Sequence, residues 1–273
     1  MRMLQSVIAT VTILSAQGPP HKAATSPTAS RSIVASIPNA DDIESLVRQL
    51  SRLGARGEFE TTEQFQARQA KIVQTGRKYA FALDREPLEL KYDADEGIMW
   101  ASVSLERRMF APEYNYAYCI QMRRILRHSE RHVGVNSFGV RAAFEARLYE
   151  DYGAVVSQAS VFWLRTFSFD CPKSGLTADM ERSLLVKAEP QFWARFPLQL
   201  PADRAKDLKP DLRMMLVGTV PDVRVYLDSS FDGATVSNPS EITIKKRFVN
   251  FLVSAVRIID AKDGRTLAEF TAN

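Results

Sequence analysis

The sequence has few of the residues from which metal, redox and nucleophilic sites are usually built. It contains two cysteines and three histidines in 273 residues. The cysteines, Cys119 and Cys171, are too far apart for a CxxC redox motif, and no His or Cys spacing matches a zinc site. A glycine-rich phosphate loop and a Gly-x-Ser-x-Gly nucleophile motif are also missing. From these absences we predict no metal site and no cofactor.

An excess of one charge and a long apolar run are missing as well. The 36 Lys and Arg residues nearly balance the 32 Asp and Glu residues, which gives a formal net charge of +4. So small an excess does not indicate a nucleic-acid-binding protein. The hydrophobic fraction of 45% is typical of a globular chain and argues against disorder. Beyond the N-terminal segment, no stretch approaches the ~20 apolar residues of a membrane helix, so we predict no transmembrane segment there.

The first 16 residues have the three parts of a secretory signal. A positive charge at Arg2 is followed by a mostly apolar stretch, and the small residue Ala16 suits the position before a cleavage site. We therefore predict a signal peptide over residues 1–16 and a disordered linker, rich in Pro, Ser and Thr, over residues 17–40. Because each part of the signal pattern is weak, a disordered N-terminal extension of a cytoplasmic protein is the alternative.

The rest of the chain, residues 41–273, is long enough to form one large domain with a sizeable core. We predict a single domain, with a junction between two subdomains near residues 171–208 as the alternative. Trp193, Phe196 and Leu198 lie in that stretch. Such large apolar residues favour a segment that packs into the domain over an exposed linker.

Two helices are predicted at the start of this domain. The first is indicated by apolar residues at helical spacing, namely Ile43, Leu46, Val47, Leu50 and Leu53. The second begins after Thr61, whose side chain can cap a helix, with Gln64 three residues later as its partner in a capping box. The short glycine-containing connection between them predicts an αα-hairpin.

Strand signals dominate the rest of the domain. Leu88, Leu90 and Tyr92 alternate with polar residues, and residues 93–97 form a turn into a return strand, which predicts a β-hairpin. Further strands are predicted over residues 116–122, 138–149, 155–169, 212–220, 223–227, 242–259 and 265–270, with one helix over residues 177–188. Strands and helices do not alternate regularly. We therefore predict an α+β fold: an N-terminal αα-hairpin followed by a mostly antiparallel β-sheet with one interposed helix.

The densest cluster of charge lies in residues 123–132. Its basic side chains, here called the basic cluster, are Arg123, Arg124, Arg127, His128, Arg131 and His132. On a helix the two histidines would share a face, but a metal site needs at least a third ligand. One interpretation is a binding surface for the phosphates of a polyanion. The interpretation we favour is a solvated loop or edge strand whose charges prevent pairing with other strands.

The two cysteines allow one disulfide if the protein is exported to an oxidising compartment. A bond between Cys119 and Cys171 requires their Cα atoms to lie within about 7 Å of each other, which the sequence alone does not show. The alternative is a pair of buried free thiols that act as small hydrophobic residues.

These features together suggest a location and a broad function. The leader, the linker, the cysteine count and the missing catalytic motifs favour an exported cell-envelope protein, periplasmic or secreted. We hypothesise a non-catalytic binding or structural module whose partner is another envelope protein or an anionic ligand. One alternative is a hydrolase-like enzyme with a site of dispersed carboxylates and Arg residues. The other is a cytoplasmic protein that binds RNA or another polyanion through the basic cluster.

Overall fold

The computed structural model describes residues 40–54, 56–73, 76–110, 115–135, 141–167, 191–235 and 240–272. Within these residues, 58% lie in strands and 18% in helices, so the fold is mostly β. No helix in this part of the chain is long and apolar enough to cross a membrane.

Ten strands of the described chain form one mixed sheet. They are β1 Lys78–Ala82, β2 Leu88–Asp93, β3 Ile98–Phe110, β4 Asn115–Val135, β5 Arg141–Val156, β6 Gln191–Gln199, β7 Leu212–Thr219, β8 Val225–Asp232, β9 Ser240–Asp260 and β10 Thr266–Thr271. The main order is β1-β7-β9-β5-β4-β3-β2, with β8 and β10 paired to β9 and β6 paired to β3. Eight of the nine strand pairs are antiparallel, and β5 runs parallel to β9.

Four helices accompany the sheet in the described residues: α1 Ile43–Leu53, α2 Thr62–Ala70, α3 Gln158–Arg165 and α4 Ala202–Leu208. The predicted first helix is confirmed as α1, and its five apolar residues are all buried. The predicted capping box at Thr61 and Gln64 is also present at the start of α2. α1 packs against the sheet near β5, β8 and β9, because its apolar stripe needs a partner surface.

The predicted α+β fold with an N-terminal αα-hairpin is wrong, because the structure is a mostly β protein built on one large mixed sheet. α2 buries none of its residues, so it does not share a core with α1 in a helical hairpin. Helical spacing identified α1 correctly, but such a local pattern does not show which surface a helix will pack against. The predicted helix over residues 177–188 lies outside the described residues.

Predictions of individual strands and turns were more accurate than the prediction of the overall architecture. The predicted β-hairpin is confirmed by the pairing of β2 with β3, and Gly97 in its turn has a positive φ of 65°. The predicted strand over residues 155–169 is wrong from Ser157 to Phe167, since Ser157 caps α3 there, and its last two residues lie outside the described part of the chain. The β-branched and aromatic residues of that stretch favoured a strand, but packing against the sheet overrides this propensity in a helix of eight residues.

The two faces of the central strands have different characters. One face of β3, β4 and β5 contributes to the main apolar core, which includes Val103, Ile120 and Ala154. The opposite face carries a small apolar cluster around Cys119 and Phe248 together with many polar side chains. Alternation along each strand creates this separation, and the polar face holds the candidate site.

Candidate functional site

Polar side chains from β3, β4 and β6 gather around one pocket, here called the polar pocket, with a volume of about 290 Å³. Its charged and amide-bearing lining residues are Glu86, Glu106, Arg108, Gln121, Arg124 and Gln191. Trp193 and Phe248 add aromatic surface to the lining. A pocket of this kind, with a few convergent polar groups and aromatic walls, is the usual form of a small-molecule site.

Strand register explains why these residues converge. Ser104, Glu106 and Arg108 occupy alternate positions of β3 and therefore share one face of the sheet. Glu106 lies between two neighbours, because it is opposite Gln191 of β6 on one side and Cys119 of β4 on the other. Most of the lining is thus built on paired strands, which hold side chains more rigidly than loops do, while Glu86 comes from the turn before β2.

Arg124 is held by carboxylates from two different segments. Its Nε and Nη2 atoms donate to Asp151 of β5 at 2.7 and 2.9 Å, and its Nη1 atom donates to Glu86 at 2.8 Å. The Asp151 side chain is only 2% exposed. The hydrogen bond to Asp151 raises the pKa of Arg124 above its usual value. The bidentate contact with Asp151 fixes the Arg124 guanidinium at the edge of the polar pocket.

A second charge group lies around Arg108. Arg108 forms an ion pair with Glu106 and lies 3.6 Å from the Asp228 carboxylate of β8. The Lys246 ammonium is 3.8 Å from the same carboxylate, and its side chain is 9% exposed. Burial lowers the pKa of Lys246, and the neighbouring charge of Arg108 lowers it further. Both arginines that line the polar pocket are therefore paired with carboxylates.

Cys119 lies in the floor of the polar pocket and is buried. Burial raises the pKa of the Cys119 thiol above its usual value, so the group stays protonated near neutral pH and is a poor nucleophile. Cys171 lies outside the described residues, so the disulfide between the two cysteines stays a prediction.

The state of Cys119 predicts its reactivity. In a Cys171→Ser variant, we expect iodoacetamide at pH 8 to alkylate native Cys119 at least about tenfold more slowly than the same protein unfolded in urea, because the thiolate is scarce and access needs local opening. The measurement is the mass shift of the intact protein against time. Equal rates in the native and unfolded protein would contradict the buried position of this thiol.

The basic cluster does not form one continuous patch. It lies in β4, where Arg123 and Arg127 contact α1 and Arg124 turns to the polar pocket. Arg123 is 3.1 Å from Asp42, while Arg127 pairs with Glu44 and, at 2.7 Å, with Glu150 of β5. The β4–β5 ladder skips Met122 and again Arg127, and each of these bulges shifts the alternation of faces along β4. The three arginines closest to the core are therefore each paired with carboxylates.

The other members of the basic cluster lie further along β4. His128 and His132 are exposed and lie 3.2 and 3.6 Å from the same Glu130 carboxylate. Arg131 is opposite Glu145 of β5. In the described parts of the chain, no group of three or more His, Cys, Asp or Glu side chains is arranged to hold a metal ion. A role for the cluster in binding a polyanion stays a prediction.

Glu145 provides a pH-dependent signal in this region. Hydrogen bonds from Arg147 and from Ser129 lower the pKa of Glu145 to about 2. A depressed pKa contributes stability above the unfolded value near 4.5, and this contribution is lost as the pH falls towards 2. We therefore expect the stability difference between the wild type and a Glu145→Gln variant to shrink between pH 5 and pH 2. Urea unfolding at each pH measures it, and a constant difference would contradict the assignment.

Comparison of the chain with protein families, with curated proteins and with solved structures finds no match. The description of the site therefore rests on its geometry. Of the basic cluster, only Arg124 lines the polar pocket. The other charged and amide residues of the lining were not predicted from the sequence. The one local signal was the polar alternation at Ser104, Glu106 and Arg108, which continues an apolar strand and marks a second face.

Proposed function

We propose that this protein is an exported protein of the cell envelope, periplasmic or secreted, that binds a small polar molecule in the polar pocket without transforming it. The leader pattern of residues 1–16 supports the location. The polar pocket supports the binding role.

One observation carries the binding proposal. Glu86 and Glu106 each meet an arginine through a single oxygen, Oε1 of Glu86 and Oε2 of Glu106. Their second oxygens have no hydrogen-bond partner within the described residues. The Glu106 side chain is 45% exposed and the Glu86 side chain is 59% exposed, so these oxygens face solvent, and a ligand can take the place of the water that hydrates them. Such unsatisfied capacity beside Trp193 suits a small polar ligand better than an apolar one.

The test is a thermal-shift screen of the whole protein against a library of small polar compounds. We expect one class of compound to raise the melting temperature. We expect Glu106→Gln to weaken its binding by about 10- to 100-fold, because a hydrogen bond to a charged group contributes roughly 1.5–3 kcal/mol. Glu269→Gln is the matched control, since Glu269 pairs with Arg257 far along the sheet on β10. A library without any binder, or equal effects of the two variants, would contradict the proposal.

An enzyme is the second candidate, and one feature favours it. Glu86, Glu106, Arg108 and Arg124 line the same pocket, and paired carboxylates beside arginines can perform acid–base chemistry. The two candidates differ in the fate of the bound compound. Prolonged incubation followed by mass spectrometry should return it unchanged from a binding module. Turnover that Glu106→Gln abolishes would instead identify an enzyme.

Export has its own test in the native host. We expect the mature protein to begin after Ala16, as determined by N-terminal sequencing of the purified protein. An intact Met1 on the mature chain would contradict the proposed location while leaving the binding proposal standing.

A further inference from the structure

We infer that the polar pocket takes an uncharged, polyhydroxylated ligand of monosaccharide size. This inference rests on the proposed binding function and names the class of compound that the site suits. It follows from the balance of charge in the lining, from the hydrogen-bond capacity that remains, and from the aromatic wall.

The lining is electrically balanced. Glu86 and Glu106 contribute two negative charges, and Arg108 and Arg124 contribute two positive charges. Each guanidinium is in an ion pair with one of these carboxylates and also lies beside a carboxylate outside the lining, Asp151 for Arg124 and Asp228 for Arg108. An anionic ligand would have to displace a carboxylate, and a cationic ligand would meet an arginine beside every carboxylate. A neutral ligand avoids both costs.

The lining residues still offer both hydrogen-bond donors and hydrogen-bond acceptors to a ligand. Acceptors remain on the second oxygens of Glu86 and Glu106. The Gln191 amide nitrogen donates to Ser104 at 2.5 Å, which leaves its carbonyl oxygen as a further acceptor. The Gln121 carbonyl accepts from Arg124 at 3.5 Å, which leaves its amide group as a donor. Hydroxyl groups donate and accept at once, so a molecule with several hydroxyls matches this mixture.

The aromatic side chain of Trp193 and the size of the polar pocket also suit a monosaccharide. Trp193 is partly exposed, lines the pocket and pairs in register with Ser104 of β3, next to the pair of Glu106 with Gln191. A sugar ring has polar edges and apolar C–H faces, and an aromatic ring packs well on such a face. The volume of about 290 Å³ lies just below the usual range for ligand sites, about 300–1,000 Å³. This room fits one ring and excludes a long oligosaccharide.

The experiment measures binding by isothermal titration calorimetry with sugars that share a shape and differ in charge. The neutral probes are glucose, galactose, mannose and N-acetylglucosamine, and the charged probes are glucuronate and glucosamine. We expect a neutral sugar to bind and its charged relatives to bind at least about tenfold more weakly, since a charged group would lose part of its hydration and meet only charges that are already paired. Gln191 is an exposed residue, and Gln191→Ala should weaken binding of the neutral sugar several-fold. Trp193→Ala should weaken it about tenfold or more. Trp163→Phe on α3 is the control that should leave binding unchanged.

The outcomes separate the two levels of the proposal. Tighter binding of a charged sugar than of its neutral relative would overturn the inference. The inference would also be overturned if a library compound bound and none of the sugars did, but the proposed binding function would then stand. If neither a sugar nor any library compound binds, the proposed function itself fails. Loss of binding in Trp193→Ala counts only if its unfolding curve matches that of the wild type, and Gln191→Ala supplies the test if it does not.

Discussion

Replacing Gly153 by alanine should destabilise the folded state by about 3 kcal/mol, because the added methyl group overfills a closed part of the sheet. A Cβ atom at this position would lie 2.2 Å from the Ile120 carbonyl oxygen of β4 and 2.7 Å from the Phe248 ring of β9. The ring can rotate away, but the carbonyl oxygen belongs to the backbone of a paired strand. Relief therefore requires movement of β4 relative to β5.

The measurement is urea unfolding followed by circular dichroism. Gly233→Ala is the matched control, because its nearest atom lies at an ordinary contact distance of 3.5 Å in the Phe231 side chain. We expect the control to change the free energy of unfolding by no more than about 0.5 kcal/mol. An unchanged midpoint for Gly153→Ala would mean that β4 and β5 are not paired in the register described here.

Replacing Asp151 by alanine should also cost about 3 kcal/mol or more, because it leaves the Arg124 guanidinium without its buried partner. Asp151 receives two hydrogen bonds from Arg124 and is almost completely enclosed. Arg124 is itself a quarter exposed and keeps its contact with Glu86. That remaining contact places the expected loss at the lower end for a broken buried pair.

An apolar replacement of both partners separates the pair from its surroundings. Arg124→Met with Asp151→Leu should be considerably more stable than Asp151→Ala alone, since an apolar pair often replaces a buried ion pair with little cost. Glu269→Ala is the control, because its pair with Arg257 is well exposed and should contribute less than about 1 kcal/mol. Equal losses for Asp151→Ala and Glu269→Ala would contradict the structural role of the buried pair.

Local sequence patterns predicted the elements whose neighbours are close in the chain. The apolar spacing of α1 and the alternation along β2 reflect the period of a single element, and the capping box at Thr61 is a contact within three residues. The stretch after Val156 shows the limit of this approach. Its residues have high strand propensity, but the Ser157 cap and the packing of α3 against β6 and β9 decide the outcome.

The architecture and the site depend on contacts between distant residues. The parallel pairing of β5 with β9 joins residues about a hundred positions apart, and no local pattern specifies it. The polar pocket likewise combines Glu86, Glu106, Arg124 and Gln191 from four separate segments. The basic cluster was visible because its residues are adjacent in sequence. Its carboxylate partners could not be predicted from the sequence, because the folding of α1 and β5 places them beside the cluster. These partners are Asp42, Glu44, Glu150 and Asp151.

The most direct test of the account is a map of ¹H–¹⁵N chemical shifts during titration with the compound that the screen identifies. The account predicts that the largest changes occur at the side-chain amides of Gln121 and Gln191 and at the indole of Trp193. Changes centred on the exposed residues His128 to His132 of β4 would contradict it and would favour the basic cluster as the binding surface.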